Sequence, residues 1–256
     1  MPPSTPGPGR PDETPSVAVA DQVRAFVVGE ATWPQVQSRP RRLLLVPLGS
    51  LEQHGPHLPL DTDTRLAAAI AAAAAARLPT AALAPPMPLG SSGEHSAFPG
   101  TLSVGTPALT QLLVELLRDA SRDWGAVLFV NGHGGNLDAV RQAVGSARSE
   151  GRVAQAWWPE LDGSDLHAGH TETSLMLHVC PGAVRMDLAE PGCLADAVDL
   201  LPTLRAGGVG AVSPNGVLGD PTGASAGEGR HLFEVLVDSL VVAARTLIGD
   251  PEACDR

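Results

Sequence analysis

Residues 126–136 read AVLFVNGHGGN, and this stretch decides the fold. Its five leading apolar residues form a short run that is typical of a buried strand. A glycine-rich turn follows at once, and a helical pattern runs from about residue 137 to residue 149. A strand, a glycine turn and a helix in this order are typical of parallel α/β sheets. The stretch therefore predicts an α/β fold with His133 just beyond the end of a strand.

The same alternation extends outward on both sides. Further strands are predicted at residues 42–47, 81–88 and 153–158, and further helices at residues 64–78, 107–120, 174–179 and 230–248. We therefore expect a single three-layer α/β/α domain with a mainly parallel central sheet over residues 17–256. Residues 1–16 hold six prolines, and we expect them to form a disordered leader.

The composition excludes several classes of function. The chain has 256 residues and a net charge of −11, which disfavours nucleic acid and anionic membranes as partners. All 17 basic residues are arginine and tyrosine is absent, which excludes a lysine Schiff base, a Walker-type loop and a phenolic nucleophile. Three cysteines without CxxC spacing argue against a disulfide framework, and the longest apolar run is too short to span a bilayer. These features favour a cytoplasmic protein without a membrane or nucleic-acid partner.

Most histidines are predicted to lie in loops that follow strands, although so small a number leaves a chance arrangement open. These loop histidines are His54, His57, His95, His133, His167 and His170. In the first loop, Glu52 and His54 lie two residues apart, so in an extended backbone both side chains project to one side. The same spacing pairs Asp61 with Asp63. Such donors suit Zn²⁺, Fe²⁺ or Mn²⁺, and the alternatives are that Asp63 only caps a helix and that Glu52 is a solvated charge.

Two later loops can also be interpreted without a metal site. The glycines of NGHGGN allow a ligand to approach the backbone closely at His133, but they could equally form a phosphate-binding nest at a helix N-terminus. A non-catalytic nucleotide or phosphate binder therefore stays an alternative function. In the loop DGSDLHAGHTET, Glu172 lies near a helix start, where a carboxylate could serve only the helix dipole.

Four motifs occur in the order PLGSLEQHGPHLPLDTD, GEHSAFPGT, FVNGHGGN and HAGHTETSLMLH. With them the chain resembles the creatininase family of metal-dependent amidohydrolases, from about Arg42 onward. The tail GGVGAVSPNGVLGDPTGASAGEGRHLFEVLVDSL and the stretch HAGHTETSLMLHVCPGAVR look like the branch of this family that acts in mycofactocin biosynthesis. The resemblance implies a creatininase-like fold and a metal-dependent hydrolase of peptide or amide C–N bonds.

The resemblance also implies a site with two divalent metal ions, Zn²⁺ or Fe²⁺, with Mn²⁺ as a further possibility. Glu52 and His133 would hold one ion, His54 would hold the other, and Asp63 would bridge them. The ions would activate a water molecule for attack on the amide carbonyl.

One position departs from the pattern of the family. Creatininase proper has an acidic residue two places after the histidine of the glycine-rich motif, where this chain has Gly135. Glu172 is the expected replacement, as a metal ligand with a catalytic role. His167 is the expected catalytic proton-transfer residue, and His170 is expected to contact substrate.

For the mycofactocin branch, the resemblance implies a ribosomal precursor peptide as substrate. The enzyme would release its modified C-terminal dipeptide, derived from Val and Tyr, during redox-cofactor biosynthesis. We expect Trp157 and Trp158 to line the substrate site, although strand-core packing is their alternative role, and we expect His95 there as well. A creatinine-type cyclic amidase or a formamide hydrolase is the alternative activity. The family also implies a homo-oligomer, a hexamer or larger. The resemblance assigns no role to His57 or Glu94.

Overall fold

The computed structural model describes residues 25–250, apart from the side chain of Ala197. Its sheet has five strands in the order β1-β3-β2-β4-β5, and all neighbouring strands are parallel. The strands are β1 (Phe26–Val27), β2 (Leu43–Leu48), β3 (Ala81–Leu83), β4 (Val127–Asn131) and β5 (Ala154–Trp157). The helices are α1 (Trp33–Gln37), α2 (Thr62–Ala76), α3 (Thr106–Ala120), α4 (Leu137–Ser149), α5 (His170–Val179), α6 (Ala197–Gly207) and α7 (Ala226–Leu247).

Helices cover both faces of the sheet, because the strands are apolar on both faces. On one face, α2, α5 and α7 pack against β2 and β4 through side chains such as Ile70, Met176 and Leu240. On the other face, α3 and α4 pack through side chains such as Leu113 and Val140. The predicted three-layer α/β/α domain with a parallel sheet is confirmed. The predicted leader at residues 1–16 lies outside the described residues.

Several predicted boundaries are wrong. The predicted strand at residues 81–88 ends at Leu83, because Pro85 and Pro86 lack the N–H group that a strand ladder needs. The helix predicted to start at residue 174 begins at His170, and the helix predicted to start at residue 230 begins at Ala226. The short strand β1 and the helices α1 and α6 were not predicted, and α6 contains Pro202, a residue that normally argues against a helix.

The strand order places the site. The chain passes from β2 to β3 on one side and then crosses back to β4 on the other side of β2. The last residues of β2 and β4, Leu48 and Asn131, pair directly. In open α/β sheets, ligands bind beyond the carboxyl ends of the strands at such a switch point. The loops after β2 and β4 carry Glu52, His54 and His133, so the topology brings all three side chains to one place.

Candidate metal centre

The first turn of α2 lies directly on the ends of the two central strands. A Cβ atom added to Gly49, after β2, would lie 2.5 Å from the backbone nitrogen of Thr64, and one added to Gly132, after β4, would lie 2.6 Å from the carbonyl oxygen of Asp63. Only glycine permits so close an approach at these two positions. The approach delivers the Asp63 side chain to the same edge as the loop residues.

Asp63 lies between two histidines. Its Oδ1 atom is 3.0 Å from Nε2 of His54, and its Oδ2 atom is 3.2 Å from Nδ1 of His133. Ser50 donates a hydrogen bond of 2.7 Å to Oδ2. Asp63 is the second residue of α2, whose N-cap position is Asp61, and its carboxylate contacts Ser50 and His54, so the alternative that it only caps the helix is wrong. One carboxylate thus addresses two imidazoles.

Backbone carbonyl oxygens fix the tautomers of three histidines. A carbonyl oxygen can only accept, so the ring nitrogen facing it carries the hydrogen. Nδ1 of His54 faces the carbonyl oxygen of Glu52 at 3.1 Å, Nε2 of His133 faces that of Ser91 at 3.0 Å, and Nε2 of His167 faces that of Gln53 at 2.8 Å. In the neutral form of each ring, the other nitrogen then has a lone pair that faces the cluster. Metal-binding histidines in proteins are held in this way.

Glu52 supplies the test of whether a cation fits. Its side chain is fully buried, and neither carboxylate oxygen has a hydrogen-bond partner among the described residues. The nearest groups are imidazole nitrogens, with Nε2 of His133 3.0 Å from Oε2 and Nε2 of His95 3.2 Å from Oε1. A fully buried carboxylate is unfavourable unless positive charge compensates it, and here its nearest neighbours are imidazole rings that can also bind a metal ion. The donor set therefore fits divalent metal ions.

The donors fall into groups that share Asp63. Glu52, Asp63 and His133 form one set whose ligand atoms lie within 4.8 Å of one another, and His54, Asp63 and Glu172 form another. These two sets contain all five residues predicted as metal ligands. Glu52, His54 and His167 form a further group of the same kind.

The electrostatics of the cluster favour positive charge. Burial lowers the pKa of His54, but Asp63 outweighs it and raises that pKa to about 9. Burial lowers the pKa of His133, but Glu52 and Asp63 outweigh this effect and raise that pKa well above its usual range. Burial, reinforced by the charges of His54 and His95, holds the pKa of His167 well below its usual range. His167 is thus the neutral imidazole of the group.

Glu172 is held in place from the loop before α5. Its Oε2 atom accepts a hydrogen bond of 2.6 Å from the N–H group of Ala168, whose φ of 53° is rare for a residue other than glycine. Asp165 accepts hydrogen bonds from the N–H groups of His170 and Thr171, which caps α5 four residues before its predicted start. Burial raises the pKa of Glu172 to about 7, against the opposing effect of His54.

Position 135 has no room for a side chain. A Cβ atom there would lie 2.3 Å from Oε1 of Glu94, 2.3 Å from the carbonyl oxygen of Ser91 and 2.4 Å from Nε2 of His133. Glu94 lies 3.4 Å from Nε2 of His133 through the same oxygen. Oε1 of Glu94, from another loop, therefore occupies the space that a side chain at position 135 would need.

A cavity of about 300 Å³ opens beside His133 and Glu172. Both predicted aromatic residues line it, although Trp157 also belongs to the core and donates a hydrogen bond of 3.1 Å to Ser239. The other walls are mainly apolar and include Leu66, Ile70, Leu161, Leu166 and Leu175. The structure thus places Trp157 and Trp158 beside the candidate metal ligands.

The two other predicted substrate contacts, His170 and His95, do not line the larger cavity. His170 is the first residue of α5, and its Nε2 atom lies 2.7 Å from Oε2 of Glu228, in a cavity of about 240 Å³ that adjoins the larger one through Leu161 and Asp165. His95 is buried behind Glu52 and does not line the larger cavity. His57 is buried too and shares a hydrogen bond of 2.8 Å with Thr173. Sequence reasoning missed Gln53, which lies between two predicted ligands and contacts two further histidines.

The chain belongs to the creatininase family, whose sequence model, described as creatinine amidohydrolase, matches residues 29–244. It is a metal-dependent hydrolase that acts on amide bonds. The chain is 52% identical over 231 residues to the mycofactocin precursor peptide peptidase of Mycobacterium tuberculosis (strain CDC 1551 / Oshkosh), which covers 85% of this chain and 91% of that protein. It is 51% identical over 221 residues to the protein of the same name from Mycobacterium ulcerans (strain Agy99), covering 82% of this chain and 84% of that protein.

Solved structures agree with the family. The structure "Creatininase Mn" has a TM-score of 0.74 and 26% identity and covers 87% of this chain and 98% of that chain. The structure of a mutant creatininase of the Zn-Zn type has a TM-score of 0.72 and 27% identity, with the same coverage. The predicted creatininase-like fold is confirmed. Among residues 25–250, no helix is both long and apolar enough to cross a membrane.

Proposed function

We propose that this protein is a peptidase that releases the modified C-terminal dipeptide, derived from Val and Tyr, from the mycofactocin precursor peptide. The observation that carries the proposal is the pair of three-residue donor sets that share Asp63, next to an aromatic cavity. The 52% identity to a mycofactocin precursor peptide peptidase supports this substrate over others.

The metal ligands follow from the two donor sets. Glu52 and His133 would hold one ion, His54 and Glu172 would hold the other, and Asp63, which belongs to both donor sets, would contribute to both. Carboxylate and imidazole donors suit Zn²⁺, Fe²⁺ and Mn²⁺, and we propose Zn²⁺ or Fe²⁺. When bound, the ions supply a nucleophile derived from water and polarise the scissile carbonyl group.

His167 moves the proton. Its Nε2 atom donates to the carbonyl oxygen of Gln53, so the lone pair of Nδ1 faces the cluster, 4.0 Å from Oε1 of Glu52. Nδ1 accepts the proton of the attacking water and delivers it to the departing amine nitrogen. An amine without that proton would leave as an amide anion, and such proton transfer typically contributes about 10²–10⁴-fold to the rate.

The apolar cavity binds the part of the substrate next to the scissile bond. Trp157 and Trp158 provide aromatic faces, and Leu66 and Leu161 complete an apolar wall. Such a wall suits the ring derived from Tyr better than it suits creatinine, which is small and polar. The proposal includes a cytoplasmic location, where the precursor peptide is made, and a homo-oligomer of six or more chains.

The test compares substrates on one preparation. The purified protein is loaded with Fe²⁺ or Zn²⁺ under anaerobic conditions and given the modified precursor peptide, the unmodified peptide, creatinine and a formamide. Mass spectrometry should detect the released dipeptide from the modified precursor alone. Turnover of creatinine or the formamide without cleavage of the precursor would instead establish the alternative activity of the family.

A matched variant separates chemistry from binding. His167→Asn keeps a hydrogen-bond donor toward Gln53 but has no basic nitrogen, so cleavage should slow by about 10²–10⁴-fold while metal content is unchanged. Cleavage at the wild-type rate would reject His167 as the proton-transfer residue.

A further inference from the structure

Gln53 lies between Glu52 and His54 in the sequence, and it belongs to none of the candidate metal-ligand sets. It is buried, with 5% of its surface exposed. Its Nε2 atom lies 2.9 Å from Nδ1 of His95 and 3.0 Å from the carbonyl oxygen of Gly216. Neither His95 nor the loop at Gly216 belongs to the metal-ligand sets described above. The amide therefore joins three separate segments behind the candidate metal centre.

The orientation of the amide is fixed by a backbone donor. The N–H group of Gly55 donates a hydrogen bond of 2.8 Å to Oε1 of Gln53, so this atom is the oxygen and Nε2 is the NH₂ group. That NH₂ group has two hydrogens and two acceptors, Nδ1 of His95 and the carbonyl oxygen of Gly216. Because an NH₂ group only donates, Nδ1 of His95 accepts and carries no hydrogen.

The remaining contact of the amide does not change this assignment. Nε2 of Gln53 also lies 3.1 Å from Nε2 of His167. That ring nitrogen is closer, at 2.8 Å, to the carbonyl oxygen of Gln53, which it serves as a donor. Both hydrogens of the NH₂ group are already used, so they remain with His95 and Gly216.

We propose that Gln53 is a positioning residue whose side-chain amide fixes His95 in the tautomer that carries hydrogen on Nε2. That N–H group then faces Oε1 of Glu52 at 3.2 Å, an oxygen with no other hydrogen-bond partner among the described residues. The opposite tautomer would place a lone pair against that oxygen. Gln53 thereby orients Glu52 toward the metal site through His95. The role of Glu52 as a ligand rests on the proposed function, whereas the tautomer of His95 does not.

The main test reads the tautomer directly. The protein is labelled with ¹⁵N-histidine and studied without metal by NMR at pH 7.5, and the His95 signals are identified by their loss in His95→Gln. In the wild type, Nδ1 of His95 should resonate in the unprotonated range and Nε2 in the protonated range. Gln53→Glu presents only acceptors, so the hydrogen should move to Nδ1. Gln53→Met presents no donor, so the tautomer preference should be lost.

A second measurement tests the consequence. The affinity for Zn²⁺ should fall by about 10–100-fold in Gln53→Glu and Gln53→Met, the scale typical of residues that orient metal ligands. Gln142→Glu makes the same chemical change on an exposed face of α4 and should change neither tautomer nor affinity. An unchanged His95 tautomer in both Gln53 variants would overturn the proposal. A wild-type protein that shows the expected tautomer but binds no Zn²⁺ would instead reject the proposed function.

Discussion

Charged residues differ in exposure between the two ends of the strands, here called the amino edge, where the strands begin, and the carboxyl edge, where they end. At the amino edge, Arg41 and Asp123 form an ion pair of 3.1 Å that remains largely in water, with side chains 35% and 67% exposed. At the carboxyl edge, Glu52, His54 and Asp63 are at most 2% exposed. Water stabilises the exposed charges of Arg41 and Asp123, whereas burial destabilises the charges at the carboxyl edge unless other charges compensate them. The carboxyl edge therefore concentrates buried charge that lowers stability unless it is compensated, and the amino edge does not.

Removing the shared carboxylate should have the largest effect. Asp63→Ala should lose both metal ions together and reduce cleavage by at least about 10³-fold, the upper range for the loss of one electrostatic group. Elemental analysis of the purified variant beside the wild type measures the metal content. Retention of two ions per chain would contradict a bridging role for Asp63.

A single methyl group at position 135 should disturb the carboxyl edge. Gly135→Ala places a carbon 2.3 Å from Glu94 and 2.4 Å from His133, so His133 must move and Zn²⁺ affinity should fall by about 10–100-fold. Gly134→Ala is the control, because a Cβ atom there meets nothing within 4 Å. Equal affinities of the two variants, measured by competition with a chelator, would show that the crowding at position 135 has no consequence.

Acid should destabilise the protein partly through His57. Burial, with the charge of His54 nearby, lowers the pKa of His57 to about 4. Above pH 6.5, His57 is neutral in both the folded and the unfolded chain. Below pH 6.5, His57 gains a proton in the unfolded chain but stays neutral in the folded chain until about pH 4. Stability is therefore lost from about pH 6.5 down to pH 4, by up to about 2 kcal/mol at pH 5.

The corresponding variant is His57→Gln, which retains a hydrogen-bonding group near Thr173. Its melting temperature should fall less between pH 7 and pH 5 than that of the wild type. The control is His231→Gln, at an exposed position of α7, and it should follow the wild type. The same pH dependence in all three proteins would reject this contribution of His57.

A change at the amino edge should have the smallest effect. Arg41→Ala removes the exposed pair with Asp123 and should change the free energy of unfolding by no more than about 1 kcal/mol, with unchanged metal content. Urea denaturation measures the difference. A larger loss, or loss of metal, would show that the two edges are coupled.

Much of the fold and of the site follows from sequence because both depend on local patterns. The run AVLFV and the alternation of Glu52 with His54 give a strand and a shared direction without knowledge of the rest of the chain. The structure brings Glu52 and His54 into one group of candidate ligands, as this alternation predicts, and the resemblance to a known family adds partners from other loops.

The missed features depend on contacts between distant segments. The role inferred for Gln53 requires His95 and Gly216, which lie far along the chain. The direction of His170 depends on the start of α5, which Asp165 shifts toward the N-terminus, so its side chain pairs with Glu228. Position 135 needs glycine because of Glu94, and no periodicity in the sequence links these two residues.

The alanines of α2 affect the distance between Asp63 and the histidines that face it. Ala67, Ala71 and Ala74 are buried where α2 meets the sheet, so their methyl groups, together with Leu66 and Ile70, set the spacing between helix and strands. Because positions 49 and 132 are glycines, no side chain lies between the strand ends and the first turn of α2 at these positions. The alanine-rich segment thus controls how closely α2 approaches the sheet. A bulkier side chain there would widen the gap between Asp63 and its histidines, although it lies several residues from Asp63.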